Sequence, residues 1–282
     1  MNPVADAFWR SVAYCLHPRV IFLSFLPLVL MVTLTGALGY FFWEPAVDRI
    51  RLGLESFAVL ESAWLWLERA GAGQLKSVLA PMLVILVVTP VVVVVSLLTV
   101  ALLMTPVLVK LVAKRRFADL QAMKGASFLH SVAWSLGSTG MALLAIVISI
   151  PLWLVPPLVL VLPPFIWGWL TYRVMAFDAL AEHATVEERH TVFRRHRLRL
   201  LGMGVFAGYL GAAPSLVWSL GVMTIVMAPI LVPVSIWLYT LIFAFASLWF
   251  AHYCLAALQQ LRAERAAPDV PSVSTPLLLE PL

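Results

Sequence analysis

The chain has 282 residues, of which 62% are hydrophobic and 12% charged, with a formal net charge of +5. Soluble domains carry about 25% charged residues, so the composition excludes a water-soluble globular domain and defines an integral membrane protein. Two cysteines, Cys15 and Cys254, support neither a disulfide framework nor a thiolate metal site.

In chain order, Ala5 to Leu16 forms a short helix with Phe8, Trp9 and Val12 on one side. Trp9 beside Arg10 suits a helix lying at the headgroups, so residues 1–19 are an interfacial N-terminal segment. No signal-peptide pattern precedes the first span. His17-Pro18-Arg19 opens that span, which runs without a charge from Val20 to Trp43. Pro18 fits a first helical turn, where its missing N–H is no loss. Pro27 predicts a kink unless it too lies in a first turn.

Glu44 to Lys76 is the main polar connection, with one or two amphipathic helices ending at Gly71 and Gly73. Ser77 to Val109 is a second uncharged run of 33 residues. As one helix it would be about 50 Å long against a hydrocarbon core of about 30 Å. It therefore tilts, kinks or protrudes, with Pro81, Pro90 and Pro106 as break points. The valine run 91–95 is helical too, because an open strand leaves backbone groups unpaired in lipid. Lys110, Lys114, Arg115, Arg116 and Lys124 follow and place this side in the cytoplasm.

Two longer uncharged runs enter the bilayer and return. Gly125 to Tyr172 lies between Lys124 and Arg173, and Leu200 to Leu261 lies between Arg199 and Arg262. Basic flanks at both ends put both ends on one side. In the first hairpin the prolines at 151, 156, 157, 163 and 164 suggest a turn at Val155–Leu158 and a re-entrant pair that stops near mid-membrane. The second hairpin turns between Pro214 and Pro233 and is long enough for two full spans. Between the hairpins, Arg173 to Arg199 is a helical segment whose basic end holds Arg194, Arg195, Arg197 and Arg199. The proline-rich tail 266–282 has the composition of a disordered segment. The fold class is therefore all-α: two long transmembrane helices (about 20–43 and 77–109), two helical hairpins (125–172 and 200–261) that penetrate partly or fully, and amphipathic interfacial helices.

The four uncharged runs hold no Asp, Glu, Lys or Arg, and their only histidines are His130 and His252, which argues against a carrier built on buried carboxylates. No His-Glu-x-x-His sequence occurs. Glu187-x-x-His190 has a di-iron spacing, but without a second such pair it reads as a solvated face. Neither a metal, a cofactor nor a catalytic residue is assigned. His17, Pro18 and Arg19 form the most suggestive small site. A helix start offers unpaired N–H groups and Arg19 a forked donor, suited to an oxyanion or a lipid phosphate. Arg194 to Arg199 also suits an anion or a headgroup. The patch is short and lacks interleaved aromatics, so nucleic acid is not a partner.

Tyr172 to Pro214 resembles the signature region of the CysZ-type sulfate permeases, the bacterial branch of the etoposide-induced-protein-like membrane proteins. The likeness is carried by Tyr172, the Phe177-Asp178 pair, the Glu- and Arg-rich helix to Arg199, Gly202 and Gly204, and Pro214. Pro18, Pro27 and Thr105-Pro106 keep the family's layout further upstream. The resemblance implies two long membrane helices, two partly penetrating helix pairs, a homo-oligomer in the bacterial inner membrane, lipid contact, and sulfate entry for sulfur assimilation without ATP hydrolysis. The permeases carry Gly, an apolar residue and one or two arginines after the first proline. Here the turn reads Arg19-Val20-Ile21-Phe22, so two donors become at most one. The family's Asn after Pro214 and its later Gly-Ala-Thr are also missing. The leading expectation is an oxyanion permease, sulfate first. The competing one is a membrane scaffold or partner-binding protein of the same fold. Ser135, Ser138, Thr139, Ser215 and Ser219 gathered around a cavity would favour transport.

Overall fold

The structure, a computed structural model, describes residues 2–56, 75–123, 125–218 and 223–266. Its helices are α1 (Pro3–Cys15), α2 (Pro18–Ser24), α3 (Leu26–Ser56), α4 (Leu75–Arg116), α5 (Phe128–Ser149), α6 (Pro156–Ala181), α7 (Val186–Arg195), α8 (Arg197–Trp218) and α9 (Met223–Ala266), with a 3-10 turn at Ile150–Leu154 between α5 and α6. No strand occurs among the described residues.

The helix starts follow local chemistry. The Asn2 side chain accepts from the Val4 N–H at 3.2 Å ahead of α1. Ser127 accepts from the His130 N–H at 3.3 Å ahead of α5. Thr185 and Glu188 close a reciprocal capping box on α7, which satisfies two backbone donors at once. Pro27 stands in the first turn of α3, after a break at Phe25. Here it costs no helical hydrogen bond, and the expected kink becomes a junction between two helices. Pro45, Pro81, Pro90, Pro106, Pro163 and Pro164 stand inside helices that continue past them. In water each would cost about 3 kcal/mol, whereas membrane helices re-satisfy the freed groups locally.

Helix bounds differ from the uncharged runs in several places. α3 continues past Trp43 as far as Ser56, and α4 continues past Val109 to Arg116. Residues 44–56 of the polar connection are the end of α3 rather than a separate amphipathic helix. Val47 packs with Ala80 and Val84 of α4, with Ile50 against them, while Leu52 is exposed. Residues 57–74, including Gly71 and Gly73, lie outside the described residues, as does the tail from 267. The turn of the first hairpin occupies Ile150–Val155, and α6 already begins at Pro156. It falls slightly before the expected Val155–Leu158 because Pro156 and Pro157 act as helix starters rather than as turn residues. α8 ends at Trp218 and α9 begins at Met223; residues 219–222, within the window expected for the second turn, lie outside the described residues.

Among the described residues, four stretches are long and apolar enough to cross a membrane: Pro18–Gly53, Val78–Arg116, Leu129–Leu154 and Ile230–Ala266. α4 shows why water is the wrong solvent. Val78, Met82, Leu86, Val94, Leu98 and Leu102 are all more than half exposed, and a surface patch of that extent does not persist on a soluble monomer. Lipid removes the penalty. Hydroxyls in these helices bond back to their own backbone: Thr33 to the Val29 carbonyl at 2.8 Å, Thr99 to Val95 at 2.7 Å, and Thr240 to Ile236 at 2.8 Å. No water is then needed at that depth.

The chain divides into two compact units: Met1–Ala7 with Val112–Val205 and Phe250–Leu282, and Phe8–Leu111 with Phe206–Trp249. In the second unit, the α2–α3 break is held by Trp237, whose Nε1 donates to Ser24 Oγ at 2.9 Å and whose ring stacks on Phe25. Phe8 packs edge-on to Phe206, Phe245 and Trp249 in the same unit. The core of the first unit is built on Phe177, Leu180, Leu200, Met203, Phe250 and Leu258, all essentially inaccessible. α5 packs on α6, and α6 crosses α8 at two glycines. A Cβ on Gly204 would lie 2.2 Å from the Gly168 carbonyl oxygen, and one on Gly168 would lie 2.5 Å from Val205 Cα. Small residues at such a crossing let two membrane helices approach backbone to backbone.

Candidate functional site: the basic junction of α7 and α8

The segment expected as one basic helix is two. Arg194 and Arg195 end α7, His196 is the joint, and Arg197 and Arg199 open α8. The correction has a physical consequence. A single helix would spread these charges around its circumference, whereas the break brings the two helix ends together. They border an open cleft of about 480 Å³, which Gln260 of α9 also lines.

The electrostatics of this cleft are uneven. At the end of α7, arginine is favoured by the negative end of the helix dipole. At the start of α8 it meets the positive end, where carboxylates are the stabilising choice. The first turn of α8 has no acidic residue and instead carries Arg197 and Arg199. Arg195 is paired with Glu264 of α9 at the exposed edge. Arg194 and Arg197 make no hydrogen bond or ion pair among the described residues, and both are exposed. His196 Nδ1 lies 2.8 Å from the Tyr253 hydroxyl. Burial lowers the His196 pKa, and the neighbouring Arg199 and Arg195 charges lower it further. The Glu264 carboxylate acts in the opposite direction.

Next to the cleft is a closed arrangement of the same residue types. Arg262 Nε donates to Glu188 Oε1 at 2.8 Å and Nη2 to Oε2 at 3.0 Å, a forked pair. Nη2 also donates to the His183 carbonyl at 2.6 Å, and Nη1 to the Gln121 carbonyl at 3.1 Å. The hydrogen bonds from Arg262 hold the Glu188 carboxyl down at about 2, with the Thr185 N–H helping. Gly125 closes the same corner, since a Cβ there would lie 1.8 Å from the Ala184 carbonyl oxygen. Nothing in the spacing of Glu188 and Arg262 announced this pair. The available signal was the capping pattern Thr185-x-x-Glu188.

The remaining sequence-derived residues fall as follows. Phe177 is in the core, stacked on Trp134 and His130, with the Arg189 guanidinium 4.2 Å above its ring. Arg189 itself is buried, which lowers its pKa. Asp178 lies beyond the uncharged run, and burial raises its carboxyl to about 7. Gly204 makes the crossing described above, whereas a Cβ on Gly202 would meet nothing. Pro106 is inside α4 and Pro214 inside α8. Glu187 and His190 are exposed, and no cluster of metal-binding side chains occurs among the described residues. Ser138 is buried on α5. The side chain of Ser215, and Ser219 altogether, lie outside the described residues, so the expected gathering of hydroxyls has no counterpart to compare.

At the first span, Pro18 occupies the first position of α2 and the His17 side chain caps it, Nδ1 accepting the Arg19 N–H at 3.2 Å. That bond leaves the proton of a neutral ring on Nε2. It also occupies one backbone donor that an oxyanion would otherwise use. Arg19 is exposed.

The fold and these features define a class, the multi-pass all-α membrane protein. Residues 7–220 match the family described as "Sulfate transporter CysZ/Etoposide-induced protein 2.4", and the chain belongs to that family. No curated protein and no solved structure matches the chain.

Proposed function

We propose that the protein is a permease or channel for a small oxyanion, sulfate first, acting as a homo-oligomer in the bacterial inner membrane and feeding sulfur assimilation. The observation that carries this reading is the family match over residues 7–220. The apolar spans and the basic, carboxylate-poor ends of α7 and α8 support it. No catalytic role is assigned to any side chain.

In this reading an anion meets Arg19 near the start of the first span, with His17 setting the geometry of the helix start. A guanidinium presents a planar fork that matches two oxygens of an oxyanion. The family's second arginine is absent from this turn, where Ile21 and Phe22 stand. The site is then weaker than in the permeases it resembles, and passive flux suits it better than tight capture.

The test is uptake of labelled sulfate into liposomes containing the purified protein, beside Arg19→Ala and protein-free vesicles. Saturable uptake that falls in Arg19→Ala supports the reading. Uptake equal to empty vesicles overturns it and moves the scaffold reading to the front.

A further inference from the structure

We propose that the cleft at the α7–α8 joint binds a tetrahedral oxyanion group, a sulfate or phosphate, held by Arg194, Arg197 and Arg199 beside Gln260. The inference deepens the oxyanion reading but stands on different residues from Arg19. Three observations carry it. First, four arginines border one concave space of about 480 Å³, and one carboxylate, Glu264, is paired with them. Concave surfaces of one charge sign focus the field and concentrate counter-ions.

Second, Arg197 and Arg199 stand where a helix favours acids, with no acid in that turn to offset them. Local rules broken without compensation concentrate at functional sites. An anion here would reverse the penalty, since it meets both the helix start and the guanidinium groups. Third, His196 stands at the joint between the two helix ends, and besides its burial the Arg199 and Arg195 charges oppose its protonation, with Glu264 acting the other way.

The alternative, that these arginines are simply solvated, leaves unexplained why basic residues and no acid occupy the first turn of α8. Two arginines of the same unit show the matched arrangement. Arg262 is fully engaged with Glu188 and two carbonyls, and Arg116 pairs with Asp6 at 3.0 Å. Gln260 adds a side chain able to donate and accept without adding charge.

One ligand chemistry has two sources, a free ion or an anionic lipid headgroup, and the experiment separates them. The full-length protein in neutral detergent is titrated with labelled sulfate and with inorganic phosphate. The doubly substituted Arg194→Gln/Arg197→Gln protein is compared with Arg49→Gln/Arg51→Gln, which removes equal charge from exposed positions on α3. In parallel, Gln260→Cys protein in nanodiscs of phosphatidylcholine, with or without phosphatidylglycerol, is probed with a maleimide.

Binding of either ion that weakens about tenfold or more in Arg194→Gln/Arg197→Gln alone establishes a free-ion site. No ion binding, but protection of position 260 by phosphatidylglycerol that the same pair of substitutions abolishes, establishes a headgroup site. Absence of both effects overturns the proposal, as does ion binding that only Arg19→Ala weakens. Thermal melting of each variant shows whether it is folded. Uptake that persists while the cleft binds nothing sinks this inference alone, and a cleft that binds without uptake sinks only the permease reading.

Discussion

Arg262 and Arg197 carry the same side chain at opposite ends of one corner of the protein and are used in opposite ways. Around Arg262, four hydrogen bonds to Glu188, His183 and Gln121 close the corner between α7 and α9. Around Arg197, an open cleft holds guanidinium groups at a helix start that disfavours them. Charge that is closed on itself stabilises a fold. Charge that is left open at a helix end is available to something outside the chain. A count of arginines in this region merges these two uses, and only the partners of each side chain separate them.

The largest test of this difference is Arg262→Ala. It leaves a largely buried Glu188 without its cation, which costs about 3 kcal/mol or more for a pair of this kind. The melting temperature of the solubilised protein should drop sharply, while Arg194→Gln/Arg197→Gln should leave it in place. Equal losses in the two proteins would erase the distinction between closed and open charge.

The same pair can be titrated away. Glu188 has its carboxyl pKa lowered from the usual 4.5 to about 2 in the folded protein. Its contribution is therefore present above the unfolded value and is lost as pH falls from about 4.5 towards about 2. Melting followed down this window should show a stability loss that is missing in Glu188→Gln. An unchanged pH profile in that variant would mean that the carboxylate is not held by Arg262.

On α8 the comparison passes from charge to packing. Gly204→Ala should cost about 1–3 kcal/mol, since its Cβ meets the Gly168 backbone and overpacking of a tight contact has this size. Gly202→Ala, with open space around it, should be neutral or stabilise by up to about 1 kcal/mol through helix propensity. Equal effects would place the α6–α8 crossing elsewhere.

The smallest expected effect belongs to the cleft's one matched pair. Glu264→Gln removes an exposed partner of Arg195, and no resolvable change in melting should follow, because exposed ion pairs contribute little. It should instead tighten oxyanion binding in the cleft by removing the competing carboxylate. Weaker binding would count against the role given to the arginines.

The distribution of charge along the chain determined the solvent. Runs such as Leu200 to Leu261 have no Asp, Glu, Lys or Arg, and only helices satisfy their own backbone in lipid. The helical class follows from that alone, whereas the turn of the first hairpin falls at Ile150–Val155 rather than at the expected Val155–Leu158, and the family likeness was carried by motif residues between Tyr172 and Pro214. Helix ends were less legible. α3 and α4 run on through Glu44–Pro45 and Lys110, because an established helix continues into polar sequence when nothing caps it.

Tertiary structure decided what one-dimensional spacing cannot encode. Glu188 and Arg262 meet across 74 positions of sequence, and Gly204 matters where Gly202 does not because only one faces Gly168. His196 turned an apparently continuous basic helix into two ends around a cleft. Composition and periodicity report how each segment meets its solvent. Which charged groups find partners depends on which segments meet each other, and that is fixed only when the helices pack.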